Sequence, residues 1–244
     1  MKYKLYEVGG RVRDQLLGLE SKDIDYSVVI EDYKKYKSPI QAFKEFKEEL
    51  LLEGYDVFLE TPDAFTIRAM FPKGHKYSGV ADFVLSRKDL GYNIGTRSPI
   101  VVLGNLEDDL KRRDFTVNAM AIDDSDSIID PFGGQKDLLN RILRTPIDAA
   151  VSFNDDPLRI LRAMRFSVTK SFGFSDEILV AILSFDPSKM EVVSTERVTE
   201  ELRKMFRHNT LRSLQTLDLI KELNPKLYIT IFEGGLRLEP TMKH

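Results

Sequence analysis

Asp23 and Asp25 stand one residue apart in the run VGGRVRDQLLGLESKDIDYSVV, Val8 to Val29, with a diglycine, Gly9-Gly10, ahead of them. Side chains alternate across a strand, so two carboxylates at this spacing share a face if the segment is extended. Such an oxygen-only pair suits Mg2+, which keeps waters and substrate phosphates in its shell. A diglycine at a strand-to-helix turn lets backbone N–H groups come close to a ligand, and the helix start that follows favours an anion such as a triphosphate. Alone, a GG is usually a turn and a DxD usually surface acid; the two separated by one helix are much rarer. Two-metal phosphoryl or nucleotidyl transfer wants a third acid, since one ion activates the attacking hydroxyl and the other steadies the departing pyrophosphate. Asp82 in VADFVLSR is the candidate, because Val80, Phe83 and Val84 argue for a buried strand with an acid left to explain. The alternative is an edge-strand acid facing water.

Two further constellations could serve a nucleotide. In DLKRRDFTVNAMAID, read as helix, Asp114 and Asn118 are four apart and share a face, so an acceptor and an amide could read a ribose hydroxyl or brace the site. Arg113 could meet phosphate through its planar fork, although a surface arginine at a helix end is the commoner case. In FNDDPLRILRAMRF, Pro157 fits the first helical position with Asp156 as N-cap, and Arg159, Arg162 and Arg165 recur every three residues. These arginines are either a solvated face or a nucleotide grip. In the sharper reading Asp156 accepts from an exocyclic amine while Arg159 donates to the adjacent ring nitrogen. Cytosine and adenine present that pattern, whereas guanine and uracil set acceptor against acceptor, so the pair would select CTP and ATP.

These groups need elements to hold them. Periodicity predicts strands at 4–8, 24–30, 55–59, 65–71 and 80–85, a helix at VRDQLL closed by Gly18, and a helix over 40–53 with Phe43, Phe46, Leu50 and Leu51 inward. Residues 88–99 read as a mobile loop. Helix is expected from Leu106 through the RRD segment, then a strand pair at 119–123 and 127–130 meeting the turn PFGG. Beyond Pro157 every long segment reads as helix, with Leu158, Leu161, Met164 and Val168 as a buried stripe. A mixed α+β head over residues 1–150 and a helical part over 151–244 are therefore expected.

Composition narrows the chemistry. The 244 residues hold no Cys, which excludes disulfides, thiolate nucleophiles and Cys-ligated metal sites. His75, His208 and His244 are too scattered for a His-rich site, and no local pattern suggests a Ser-His-Asp triad. The net charge of -3 argues against bulk-charge binding of nucleic acid, although residues 157–244 carry 14 Lys and Arg against 11 Asp and Glu. The opening MKYKLYEVGG does not resemble a signal peptide and no 18 apolar residues run together, so a soluble, cytoplasmic protein with no membrane partner is expected.

In order, VGGRVRD, KDIDYSVV, DLKRRDFTVNAMA, DPFGGQKDLL, DDPLRILRAMRF and STERVTEELRKMF resemble the class II tRNA nucleotidyltransferase and bacterial-type poly(A) polymerase family, from Val8 to about Phe206. The resemblance implies a DNA polymerase beta-like nucleotidyltransferase head with a mixed sheet, then an all-helical neck and short body. It implies that Asp23 and Asp25 bind metal, two Mg2+ ions with Mn2+ as substitute, to which the residue reading adds Asp82 as the third acid. Nucleotide contacts fall on Gly10, Arg13, Arg113, Asp156, Arg159, Arg162 and Arg165, beside Gly9, Asp114 and Asn118 from the residue reading. The family usually has Glu where Asp155 stands, a shorter acid that would loosen bracing of the site. Family members usually continue into larger domains that grip tRNA, whereas this sequence ends near GGLRLEPTMKH. An oligomer or a partner protein would compensate.

The expected activity is full or partial CCA addition, of C, of A or of both, to the 3′ end of tRNA from CTP and ATP with release of pyrophosphate. The alternatives are a poly(A) polymerase, an inactive RNA-binding relative, and transfer to another acceptor. The stretch ILRTPIDAAVSFNDDPLR looks more like the tRNA enzymes.

Overall fold

The computed structural model describes residues 1–21, 23–92 and 99–233. They form two compact units that divide between Asn140 and Arg141.

The first unit is built on a seven-stranded mixed sheet. Its strands are β1 (Tyr3–Val8), β2 (Ile24–Ile30), β3 (Asp56–Thr61), β4 (Thr66–Met70), β5 (Val80–Leu85), β8 (Ala121–Ile122) and β9 (Ile128–Ile129), in the order β3-β4-β5-β2-β1-β8-β9. A separate hairpin joins β6 (Arg87–Tyr92) to β7 (Pro99–Leu103). The helices are α1 (Gly10–Leu16), α2 (Pro39–Leu52), α3 (Leu106–Lys111) and α4 (Gly134–Asn140). One pairing matters most for the site. β2 and β5 run parallel with Asp25 opposite Asp82, so two acids 57 residues apart become neighbours.

The core lies under α2. Ala42, Phe43, Phe46 and Leu50 form its buried stripe and pack with Tyr26, Val28, Ile67, Phe83 and Leu85 of the sheet. The spacing is helical, and each fully buried large side chain contributes about 1.5–3 kcal/mol. Leu51, expected on this stripe, is 49% exposed because it lies one residue round the helix from Leu50.

Three expectations change. Residues 88–92 are not loop: they belong to β6, whose partner β7 begins at Pro99, while 93–98 of the expected loop lie outside the described residues. The helix expected through the RRD segment stops at Lys111, and a 3-10 turn covers Thr116–Asn118. Asp82 is not on an edge, because β5 lies between β4 and β2.

The second unit is mainly helical. β10 (Ile142–Leu143) pairs in parallel with β11 (Gly173–Phe174), among α5 (Ala149–Asp155), α6 (Leu158–Lys170), α7 (Asp176–Leu183), α8 (Thr195–His208), α9 (Thr210–Leu223) and α10 (Pro225–Glu233). On α6 the stripe Leu158, Leu161, Met164 and Val168 is buried as its spacing requires. Pro157 precedes this helix in helical geometry, and Asp156 Oδ1 accepts from the Leu158 amide at 3.1 Å, the capping role expected of it. The final GGLRLEPTMKH lies outside the described residues.

Candidate active site

In the first unit Asp23, Asp25 and Asp82 line one cavity of about 290 Å3, together with Arg68 and Phe58. Asp23 is exposed just ahead of β2, Ile24 between the acids is buried, and Asp25 is half-buried on the strand. Burial, then the neighbouring Asp82, pushes the Asp25 carboxyl up, the Arg113 guanidinium opposes this, and Asp23 adds to the rise. A carboxylate crowded by two others is a place that gains from a cation.

All the donors here are carboxylate oxygens, the set that suits a hard divalent ion. Arg68 forks onto Asp82, Nε to Oδ1 at 2.7 Å and Nη2 to Oδ2 at 2.6 Å. Each Asp82 oxygen keeps a second lone pair, so the fork and an ion can share the group. Among the described residues no three acid or histidine side chains are already closed round a cation position. The three acids fit the ion chemically, and closing their oxygens round it requires side-chain adjustment.

The β1–α1 turn lies next to Asp25. Gly9 has φ 75° and ψ −136°, a conformation for glycine alone. A Cβ there would stand 3.1 Å from Arg113 Nη1 and 3.7 Å from Asp25 Oδ2, so the missing side chain is what leaves room between the arginine and the acid. Because α1 is only seven residues long, the anion reading of this turn rests on the Gly9 backbone and Arg113.

Arg113 is aimed by Asp109, which the sequence reading did not single out. Asp109 is fully buried and accepts from Arg113 Nη2 at 3.0 Å, from Arg112 Nε and Nη2 at 2.9 and 2.6 Å, and from Ser27 Oγ at 3.0 Å. Burial would raise its carboxyl, but the two guanidinium charges and their hydrogen bonds outweigh that and hold it at about 2. Arg113 Nε is buried without a partner, and Nη1 faces the Gly9 opening. The spacing of three and four residues from Asp109 to the arginines was a helical signal that would have found it.

Arg13 is braced. It donates through Nη1 to Asn118 Oδ1 at 2.6 Å and through Nε and Nη2 to Asp14 at 2.9 Å. Gly10 lets it close in, since a Cβ there would meet Arg13 Nη2 at 3.3 Å. Asn118 in turn donates to Asp114 Oδ1 at 2.9 Å. The expected pairing of Asp114 with Asn118 is therefore present, though made by a turn and not by a shared helix face.

The remaining expected residues belong to the second unit. Arg159 is buried and donates from Nη1 to Ser152 Oγ at 2.6 Å, one turn after Asp156 caps the helix. Arg162 is half-buried on the same helix, as is Asp155 at the end of α5. Arg165 is bound through Nε to the buried Glu201 of α8, with its guanidinium 4.4 Å from the Phe166 ring centroid. Glu201 was also missed, because nothing local links residues 36 apart.

A family model described as the poly A polymerase head domain matches residues 5–144. A CCA-adding enzyme of Streptococcus mutans is 33% identical over 205 residues, 84% of this chain and 46% of its own. A multifunctional CCA protein of Vibrio parahaemolyticus is 38% identical over 205 residues, 82% of this chain and 45% of its own. The crystal structure of the Bacillus stearothermophilus CCA-adding enzyme in complex with CTP superposes with TM-score 0.71 at 30% identity, over 92% of this chain and 50% of that one. A tRNA nucleotidyltransferase complexed with a primer tRNA and an incoming ATP analog gives TM-score 0.67 at 30% identity, over 95% of this chain and 60% of that one. The chain thus spans about half the length of the curated relatives it matches.

Proposed function

The chain belongs to the poly(A) polymerase head-domain family, and from that membership we propose that it is a template-independent RNA nucleotidyltransferase acting on the tRNA 3′ end with CTP and ATP. The observation that carries the reading is the three-acid cavity flanked on one side by the Gly9 opening and Arg113. It is the layout that phosphoryl transfer needs, with oxygen ligands beside an anion seat.

In the reaction an RNA 3′-hydroxyl oxygen attacks the α-phosphorus of the triphosphate. A new P–O ester bond forms, the bond to the bridging oxygen of the β-phosphate breaks, and pyrophosphate leaves with the electron pair. Asp23, Asp25 and Asp82 would hold Mg2+, or Mn2+ in its place, which supplies charge neutralisation at the phosphates and acidifies the hydroxyl. Arg113, fixed by Asp109, meets the triphosphate oxygens where the Gly9 backbone leaves space. Asp82, on the far side of Asp25 from Gly9, orients the hydroxyl and draws on its proton.

For the base, Asp156 and Arg159 are the discriminating pair, and the hydrogen bonds to the Leu158 amide and Ser152 Oγ fix where the two side chains start. Arg162 adds charge for the phosphates. Arg165 serves the site through its tie to Glu201, keeping α6 and α8 together. Residues 1–150 are the catalytic head in this reading and residues 151–244 the base-reading and RNA-binding part. Since the relatives continue well beyond the matched span, further RNA grip would come from an oligomer, a partner protein or additional chain.

The test is primer extension with Mg2+, offering tRNA lacking CCA, tRNA ending in C or CC, and an unstructured oligoribonucleotide, each with single nucleotides and with mixtures. Extension on tRNA that stops after CCA is the expected result. Long A-tracts on any RNA would make the protein a poly(A) polymerase, and no incorporation on any acceptor would overturn the reading.

A further inference from the structure

The sheet order gives the cavity two unlike sides. β2 and β5 bring Asp25 and Asp82 to the middle; β1, with Gly9 at its end and Arg113 beside it, is on one side, and β4 and β3 are on the other. On that second side Arg68 of β4 stands opposite Asp82 in register. Next to it, at the sheet edge, β3 carries a bulge: Val57 pairs with Ala69 and Leu59 with Arg68, so Phe58 is the extra residue. Bulges re-aim side chains and are frequent beside active sites. Here the bulge leaves Phe58 53% exposed while it lines the cavity that holds the three acids. A phenyl ring bared beside carboxylates is not explained by the fold, because β3 contributes to the core chiefly through Val57.

In-line displacement at phosphorus sets the attacking oxygen opposite the leaving oxygen. With the triphosphate held on the Gly9 and Arg113 side, the attacking 3′-hydroxyl must arrive across Asp82, from the side of β4 and β3. A nucleotide arriving there meets an aromatic face and a cation. The Arg68 fork uses Nε and Nη2, so Nη1 keeps its two N–H donors on the other edge of the guanidinium. An exposed aromatic next to a positive charge is how proteins hold single-stranded nucleic acid without reading its sequence.

We propose that Phe58 and Arg68 seat the 3′-terminal nucleotide of the acceptor RNA, its base stacked on the Phe58 ring and its 5′-side phosphate facing Arg68 Nη1. The proposal rests on the nucleotidyl-transfer reading and assigns the acceptor side of that site. Base stacking on an aromatic is sequence-tolerant, so this seat would accept an end in C or in A, as successive additions to one strand require.

The experiment titrates a fluorescein-labelled oligoribonucleotide ending in CC, and tRNA lacking its terminal A, into the full chain by anisotropy in EDTA, alongside CTP binding by calorimetry. Phe58→Ala is expected to weaken both RNAs about five- to tenfold, the low end of a lost stacking contact, with CTP affinity unchanged. Phe58→Tyr is expected to bind within twofold of the unaltered chain, and Arg68→Gln to lower the salt slope of binding by about one phosphate. Photocrosslinking of an oligoribonucleotide with 3′-terminal 5-iodouridine should mark Phe58. No RNA binding at all, RNA affinity within twofold in Phe58→Ala, or an equal loss of CTP affinity overturns the assignment. If RNA binding depends on Phe58 but no RNA is extended with any nucleotide, the seat stands and the transfer reading falls. If RNA is extended and the KM for it is unchanged in Phe58→Ala, the transfer reading stands and the seat falls.

Discussion

Replacing Asp109 with Asn tests how the site is built, because this carboxylate joins three parts of the head. It is wholly buried, holds Arg112 and Arg113 on one side and takes the Ser27 hydroxyl of β2 on the other, and Ser27 Oγ lies 2.8 Å from Ser86 Oγ. Its carboxyl is held at about 2 against an ordinary 3.8. A folded-state value below the unfolded one gives stability that is present above the unfolded value and lost as pH falls towards the folded value. At about 1.4 kcal/mol per pH unit, this one carboxylate contributes about 2 kcal/mol near neutrality, fading between about pH 4 and pH 2. Asn keeps the shape but leaves two guanidinium groups without their buried anion, so Asp109→Asn is expected to cost about 3 kcal/mol at pH 7. Arg113 would also lose its aim, raising the KM for CTP and ATP about tenfold with a smaller change in kcat. Urea unfolding of both proteins from pH 7 to pH 2.5 is the assay. The stability difference between them should shrink as the pH drops below about 4, because the unaltered protein then loses what the variant never had. A difference that stays constant over that range would refute the account of Asp109 as the anion that fixes Arg113.

Other perturbations address the remaining parts. Asp23→Ala and Asp25→Ala should each abolish nucleotide incorporation while leaving the circular dichroism spectrum intact, and turnover near that of the unaltered chain in either would remove the acids from the metal-binding role. Gly9→Ala places a methyl 3.1 Å from Arg113 Nη1 on backbone that strains any L-residue by about 1–3 kcal/mol, so triphosphate binding measured by calorimetry should weaken at least tenfold. Asp156→Ala should narrow the preference for CTP and ATP over UTP and GTP in single-nucleotide extension, and unchanged discrimination would exclude base reading by that side chain. Removal of divalent ions with EDTA should stop transfer, and Mg2+ or Mn2+ added back should restore it.

Much of the chain was legible from local pattern. The alternation in IDYSVVI defines β2 to the residue, and the i, i+1, i+4, i+8 run of Ala42, Phe43, Phe46 and Leu50 defines the inner face of α2. The Gly9 and Gly10 turn, the Asp23 and Asp25 pair and the Asp156 cap likewise follow from spacing, because each concerns atoms only a few residues apart in the chain. Where the reading went astray, local signals were balanced or absent. Residues 88–92 carry glycine and charge like a loop, yet β7 captures them as a strand. Asp114 and Asn118 have helical spacing, yet meet through a turn.

The sequence by itself determined which chemical groups the chain offers: paired acids, a glycine turn, clustered arginines, and no thiol. Only the tertiary structure decided which of them meet. The register of β2 on β5 sets Asp25 opposite Asp82, the β3 bulge bares Phe58 beside them, the β4 pairing sets Arg68 on Asp82, and Asp109 reaches Ser27 across 82 residues to aim Arg113. The reason is physical. Periodicity records which way each side chain points from its own element, while strand order and register depend on how all the apolar faces are buried together.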